Sequence, residues 1–111
     1  MDEADRHSLG EMRDHARRAI DWARDGGAAW TADEKTVAAI AHVVAQIGEI
    51  ARHLPASVKA AYPDIPWAAM SGMRNRIYHE YGRLDIEVLA ATVRRDLPAL
   101  RRALDSALKR R

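Results

Sequence analysis

The sequence predicts an all-α protein, an up-and-down bundle of four helices with one additional short helix. Apolar residues recur at three- and four-residue steps along four stretches, and no stretch alternates as a β-strand does. Phe is absent and only three Trp and three Tyr occur, so the core is expected to be aliphatic. With 111 residues, the chain can bury one core, and we expect residues 1–111 to form a single domain.

The first helix is predicted over about residues 8–24. Ser8 can cap its start, and Glu11, three residues further on, completes a capping box. The Gly26-Gly27 pair is a typical end signal.

The second helix is predicted over about residues 32–53, because its apolar stripe is continuous. Thr31 and Glu34 have the spacing of another capping box. Gly48 lies inside this helix, where it costs roughly 1 kcal/mol relative to Ala. We therefore expect another helix to approach closely at Gly48.

Prolines punctuate the middle of the chain. Pro55 ends the second helix and can open a short one over residues 55–61. Two prolines make residues 62–66 a connector. The next helix is predicted from Trp67 to about His79, with Gly82 as its end signal.

The last helix is predicted to start at Asp85 and to carry an apolar stripe through Leu108. Pro98 falls inside that stripe and is expected to kink or split the helix.

Charge is distributed unevenly. Residues 1–34 hold nine acids and five arginines, whereas residues 94–111 hold seven bases and two acids. A basic end can attract a polyanion or can simply be a solvated helix face. There is no cysteine, which excludes disulfides and Cys-based metal sites. No long apolar run and no signal-peptide pattern is present, so we expect a cytoplasmic protein without membrane contact.

Residues 73–81 (MRNRIYHEY) concentrate the side chains that can carry chemistry. On a regular helix Asn75 and His79 are stacked, so the amide could orient the imidazole. Arg74 lies about 140° round the helix from His79, so the two meet only if the helix frays or a second copy completes the site. A histidine near a helix C-terminus is also favoured by the helix dipole alone, which is the simpler interpretation.

The segment from Gln46 to about Leu100 resembles the HepT-like branch of the HEPN superfamily. The matching strings are IGEIARHLP, YPDIPWAAMSGMRNRIYHEYGRLD and IEVLAATVRRDLPAL. The R-x4-H-x-Y signature is present as Arg74, His79 and Tyr81, with the associated Asn75. Gly82 departs from the family pattern, in which an aromatic residue is common.

The resemblance implies a HEPN-like bundle that acts as a homodimer, with the R-x4-H elements of both subunits lining one cleft. It implies a metal-independent endoribonuclease toxin that needs no cofactor. The partner it implies is a small MntA-type nucleotidyltransferase antitoxin, which can adenylylate the tyrosine at the position of Tyr81.

The roles that follow from this resemblance are specific. We expect His79 to act as general base or acid, Arg74 to hold the phosphate oxygens, and Asn75 and Tyr81 to support them. RNA phosphates on either side would be bound by arginines on the following helix and by one within the motif, namely Arg76, Arg94, Arg95, Arg101 and Arg102. No metal site is expected.

Two other functions compete with this one. The protein could be a non-catalytic helical module that docks on a nucleotidyltransferase and assists nucleotide or substrate binding. It could also be a purely structural oligomer with a basic face for nucleic acid, in which case Arg101 and Arg102 would matter and His79 would not.

Overall fold

The computed structural model describes residues 1–109, except for the side chain of Glu80. Seven α-helices occur in this part of the chain: α1 Glu3–Gly26, α2 Glu34–His53, α3 Ala56–Ala61, α4 Trp67–Ser71, α5 Met73–Ile77, α6 Ile86–Ala91 and α7 Leu97–Lys109. Short 3-10 turns lie at Trp30–Ala32 and Glu80–Gly82. The described residues contain no strand, only an isolated antiparallel bridge between Tyr78 and Leu84. The all-α class is confirmed.

Helix α1 begins earlier than the sequence predicts. Its N-cap is Asp2, whose carboxylate accepts a hydrogen bond from the Asp5 amide at 2.8 Å. Ser8 therefore lies inside the helix, and its predicted capping role is wrong. The Arg6 side chain also donates to the carbonyl of Leu108 on α7, which ties the added first turn to the bundle. The helix ends as expected, with Gly27 at a positive φ of 76°.

Helix α2 is capped by Asp33 and not by Thr31. The Asp33 carboxylate accepts from the Thr36 amide at 3.1 Å and also from the Thr36 hydroxyl. Thr31 lies in the preceding 3-10 turn, where its neighbour Trp30 is buried. The predicted end of this helix at His53 is confirmed.

The core forms where α1 packs against α2 and α7, and where α2 packs against α4 and α5. A Cβ atom added at Gly48 would lie 2.8 Å from the backbone oxygen of Met70, so the predicted close approach is confirmed. The fully buried large side chains are aliphatic or Met, apart from Thr92: Leu9, Met12, Ile40, Val44, Ile47, Met70, Ile77, Leu89, Thr92, Leu97, Leu100 and Leu104.

The helix that carries the motif is shorter than predicted. It is interrupted at Gly72 and ends at Ile77, because Tyr78 adopts an extended conformation. The carbonyl of Ile77 accepts from the Asp85 amide at 2.6 Å, so a distant residue satisfies a group that the helix end leaves open. Gly82, predicted as the helix end, instead forms a turn at φ 73°.

The last helix starts where predicted, with Asp85 as the N-cap of α6. It is then interrupted by a π-helical turn at Thr92–Asp96 before α7 begins. Pro98 lies just after this turn. A proline cannot donate to the carbonyl four residues earlier and would clash with it, and the wider π-turn relieves both problems. The predicted splitting of the helix is confirmed.

Candidate functional site

The centre of the candidate site is a closed loop between α5 and α6. The His79 amide donates to the carbonyl of Arg83 at 2.6 Å, and the bridge between Tyr78 and Leu84 lies beside this bond. Together with the bond from Asp85 to Ile77, these contacts close the base of the loop. His79 and Asp85 consequently lie next to each other, although six residues separate them.

The imidazole of His79 contacts the carboxylate of Asp85. His79 Nε2 lies 2.9 Å from Asp85 Oδ2, and the imidazole side chain is 59% exposed whereas the carboxylate side chain is 26% exposed. The other carboxylate oxygen of Asp85 accepts from the Val88 amide at 3.0 Å. One acidic side chain thus caps α6 and holds the histidine.

These contacts also set the charge of Asp85. The hydrogen bond from the Val88 amide, and after it the hydrogen bond from His79, hold the pKa of the Asp85 carboxyl below its usual value. Asp85 is therefore ionised at neutral pH.

Arg74 lies on α5 at the edge of a polar cavity of about 600 Å³. Its guanidinium carbon lies 5.4 Å from the centre of the Tyr78 ring, a cation–π distance. Among the described side chains, no carboxylate pairs with Arg74. The cavity is further lined by Glu49, Arg52, Ser71, Gly72 and Asn75, and Glu49 pairs with Arg52 at 2.8 Å. A second guanidinium and several hydrogen-bonding groups thus surround Arg74.

The structure separates residues that the sequence predicted to be stacked. Because the helix ends at Ile77, His79 no longer follows Asn75 on one helical face. Asn75 instead faces the polar cavity, and the predicted contact between its amide and the imidazole is wrong. No hydrogen bond or ion pair joins Arg74 to His79 in the part of the chain that the structure describes. Arg76 and Glu80 have the same four-residue spacing and also predict a helical pair, but the Glu80 side chain lies outside the described part of the structure.

Tyr81 is at the tip of the loop and is 99% exposed. It adopts φ 63° and ψ 22°, a left-handed conformation that is unusual for a residue other than glycine. The phenol therefore projects into solvent from a strained backbone position, and among the described residues no hydrogen bond joins it to His79.

The basic residues that were predicted to contact RNA face different sides of the bundle. Arg76 and Arg95 line one groove of about 350 Å³ between α4–α5 and α7, where Arg76 pairs with Asp96 at 3.4 Å. Arg94 instead lines a cavity beside the turn that precedes α2. Arg101 and Arg102 lie on α7, and Arg101 approaches Asp105 at 3.7 Å. Arg110 and Arg111 lie outside the described residues.

The pattern of the sequence does not reveal Asp85 as the partner of His79. Asp85 is identifiable as a helix N-cap, and the only further signal is its position a few residues after a histidine and a glycine turn. His79 and Asp85 are brought together by backbone hydrogen bonds across the loop, and the local periodicity of the sequence does not predict these bonds.

Two further observations concern metals and membranes. Within the described side chains, no three His, Asp or Glu residues are grouped so that they could hold a metal ion. None of the helices in residues 1–109 is long and apolar enough to cross a membrane.

Comparison with known proteins gives a consistent set of relatives. A family described as ribonuclease HepT-like matches residues 12–107. A protein of Thermococcus cleftensis named "Probable ribonuclease HepT" is 38% identical over 69 residues, which is 62% of this chain and 63% of that protein.

Two more distant relatives are both named "Putative RNase". The one from Methanocaldococcus jannaschii is 25% identical over 71 residues, or 64% of this chain and 59% of its own length. The one from Caldanaerobacter subterraneus is 27% identical over 64 residues, which is 58% of this chain and 57% of that protein. The chain thus matches less than two thirds of the length of each relative. No solved structure matches it.

Proposed function

Because the chain belongs to the HepT-like ribonuclease family, we propose that it is a metal-independent endoribonuclease toxin of the cytoplasm. The observation that carries this proposal is the state of the two motif side chains. His79 is exposed and held by a carboxylate, and Arg74 offers a guanidinium that no described carboxylate neutralises. A titratable group and a free cation are what RNA cleavage through the 2′-hydroxyl requires.

The proposed reaction is an internal transfer within RNA. The 2′-oxygen forms a bond to the adjacent phosphorus as its proton passes to a base, and the bond from phosphorus to the 5′-oxygen breaks. The products are a cyclic phosphate and a 5′-hydroxyl, whose oxygen takes up a proton. His79 exchanges one of these protons, because imidazole is the side chain that most often serves as general base or acid. Arg74 binds the non-bridging phosphate oxygens and offsets the charge that develops on them.

The remaining motif residues and the basic side chains have supporting roles in the proposal. Asn75 shares the polar cavity with Arg74, and from there its amide can contact the scissile phosphate. Arg76 and Arg95 would bind phosphates along their shared groove. Arg94, Arg101 and Arg102 would act at the periphery, so their loss should weaken RNA binding less. Binding should fall steeply as salt is added, because phosphate contacts release counterions.

The active unit is proposed to be a homodimer. Arg74 and His79 do not contact each other within one chain, and a cleft shared by two copies would let the arginine of one serve the histidine of the other. The family resemblance of the motif supports the same arrangement.

The proposed antitoxin is a small MntA-type nucleotidyltransferase that adenylylates Tyr81. Full exposure of the phenol at a loop tip supports this assignment, because a modifying enzyme could reach it without unfolding the bundle. The added nucleotide would place a bulky anion near the site and would repel RNA. After incubation with the partner and ATP, intact mass should rise by one AMP in the wild-type protein and not in Tyr81→Phe.

The central test is cleavage of RNA by purified Arg74→Ala and His79→Ala variants. Both should lose cleavage and growth inhibition while keeping wild-type helicity by circular dichroism. His53→Ala is the matched control, because that imidazole is also exposed, at 73%, but lies at the end of α2 outside the motif. Unchanged cleavage in His79→Ala would refute the catalytic assignment. A wild-type protein that binds the nucleotidyltransferase but never cleaves RNA would instead identify a docking module.

A further inference from the structure

Asp85 is a side chain to which neither the motif nor the comparisons assign a role. Its carboxylate has two oxygens with two different partners: Oδ1 accepts from the Val88 amide, and Oδ2 contacts His79 Nε2. The first contact fixes the carboxylate to the start of α6. The second then fixes the imidazole, which is the more exposed of the two side chains.

The pairing of His79 with Asp85 is built into the backbone. The bond from the His79 amide to Arg83 and the bond from the Asp85 amide to Ile77 hold both residues at the base of the loop. Two long, flexible surface side chains would meet only part of the time, whereas these two short ones start from anchored positions. Among the described side chains, no hydrogen bond or ion pair joins Arg74, Tyr81 or Arg83 to the imidazole, whose partner is Asp85.

The contact determines where the proton of the imidazole resides. An ionised carboxylate can only accept hydrogen bonds, so Nε2 must carry the proton that it donates to Asp85. In the neutral imidazole, Nδ1 is then the nitrogen with a free lone pair. A base that acts through Nδ1 becomes an imidazolium as it takes the proton, and the adjacent carboxylate stabilises that charge.

We propose that Asp85 is a positioning residue that keeps His79 protonated on Nε2 and leaves Nδ1 to exchange the proton with the RNA 2′-hydroxyl. The assignment of Nδ1 rests on the proposed ribonuclease function, whereas the control of the tautomer by Asp85 does not. Capping of α6 alone would not require a carboxylate, because Asn caps helices about as well as Asp.

Asp85→Asn separates the two roles of this side chain. With the amide oxygen retained on the Val88 amide, the amide NH2 replaces Oδ2 and donates to Nε2. Nε2 must then accept, and the proton moves to Nδ1, where it blocks the base. We expect kcat on a short RNA to fall about 10- to 100-fold, a part of the roughly 10²- to 10⁴-fold that general acid–base catalysis supplies in full, with KM little changed.

Two variants complete the kinetic test. Asp33→Asn is the matched control, because Asp33 caps α2 through the same contact to the amide three residues on and has no histidine partner. It should keep wild-type kcat. Asp85→Ser still caps α6 but is too short to reach His79, and it should lose activity as well. If Asp85→Asn and Asp85→Ser both retain wild-type kcat, the proposal is overturned.

The tautomer itself is read by long-range ¹H–¹⁵N NMR of the labelled protein, which needs no activity. The neutral His79 ring should carry its proton on Nε2 in the wild type and on Nδ1 in Asp85→Asn. Identical tautomer populations in the two proteins would disprove control by Asp85. If the wild type cleaves no RNA, the proposed function fails, and the NMR result alone still decides the role of Asp85.

Discussion

Gly48 shows how a single hydrogen atom in place of a side chain shapes the site. It lies on α2 where the α4–α5 segment crosses, and an added Cβ would come 2.8 Å from the Met70 carbonyl oxygen. Backbone cannot move aside as a flexible side chain can, so the two helices would have to separate. The polar cavity beside Arg74 lies at the same helix crossing, because it is lined by Glu49 of α2 and by Gly72 between α4 and α5.

Gly48→Ala should therefore destabilise the protein by about 1–3 kcal/mol, the usual range for overpacking a tight contact. Gly10→Ala is the control, since Gly10 also lies inside a helix but an added Cβ there meets nothing within 4 Å. That substitution should stabilise by roughly 0.5–1 kcal/mol through helix propensity. Urea unfolding followed by circular dichroism measures both changes. Equal effects of the two substitutions would show that the helices do not pack as described.

At the scale of elements, three helices begin with an aspartate that accepts a hydrogen bond from a backbone amide, namely Asp2 at α1, Asp33 at α2 and Asp85 at α6. Hydrogen bonds from the Thr36 hydroxyl and amide lower the pKa of Asp33, and those from the Val88 amide and His79 lower the pKa of Asp85. Both pKa values thus lie below the usual value of 3.8 in the folded protein. A carboxyl of this kind favours folding most when it is ionised.

The stability conferred by these two carboxylates should be complete above their unfolded pKa, near pH 4, and should disappear as pH falls through the lowered folded pKa values. The double variant Asp33→Asn/Asp85→Asn should lack this dependence. The difference in urea midpoint between wild type and variant should therefore shrink as pH falls from about 5 toward 2.5. Asp64→Asn, at an exposed position that caps no helix, should leave the acid dependence as in the wild type. A difference that stays constant with pH would contradict the capping assignment.

The elements also show what local sequence determines here and what it does not. Helix α2 and the stripe of α7 were predictable, because their apolar periodicity matches the face that they bury. The start of α1 was not, since Asp2 and Ser8 are both good caps and a tertiary contact from Arg6 to α7 stabilises the earlier one. The two residues are similar as N-caps, so the tertiary packing determines which of them begins the helix.

Some features of the candidate site were likewise predictable from the sequence, and others were not. Arg74, His79 and Tyr81 were identifiable from the spacing and the family resemblance. The end of α5 at Ile77 was not, because helical periodicity continues through Tyr78 in the sequence. Backbone bonds to Arg83 and Asp85 end the helix there, and they also bring His79 to its carboxylate. The end of α5 and the contact between His79 and Asp85 were thus not predictable, because both depend on hydrogen bonds between residues on either side of a loop.

At the scale of the whole molecule, the positions of Arg74 and His79 bear on how many chains one catalytic site needs. Arg74 faces the polar cavity on α5, and His79 is tied to the start of α6. If two copies contribute one residue each to a shared site, the proposed function depends on assembly. Inactive variants of the two residues should then be able to complement each other.

Mixing Arg74→Ala with His79→Ala tests this directly. In a homodimer with two composite sites, a mixed dimer contains one site that has both residues and one that has neither. Random exchange at equal amounts makes about half of the dimers mixed, so about one quarter of wild-type RNA cleavage should return. Each variant alone should stay inactive at any concentration, and light scattering should report a dimer throughout. A mixture that exchanges subunits, as mass spectrometry of differently labelled chains would reveal, yet recovers no cleavage would place both residues in one chain's site.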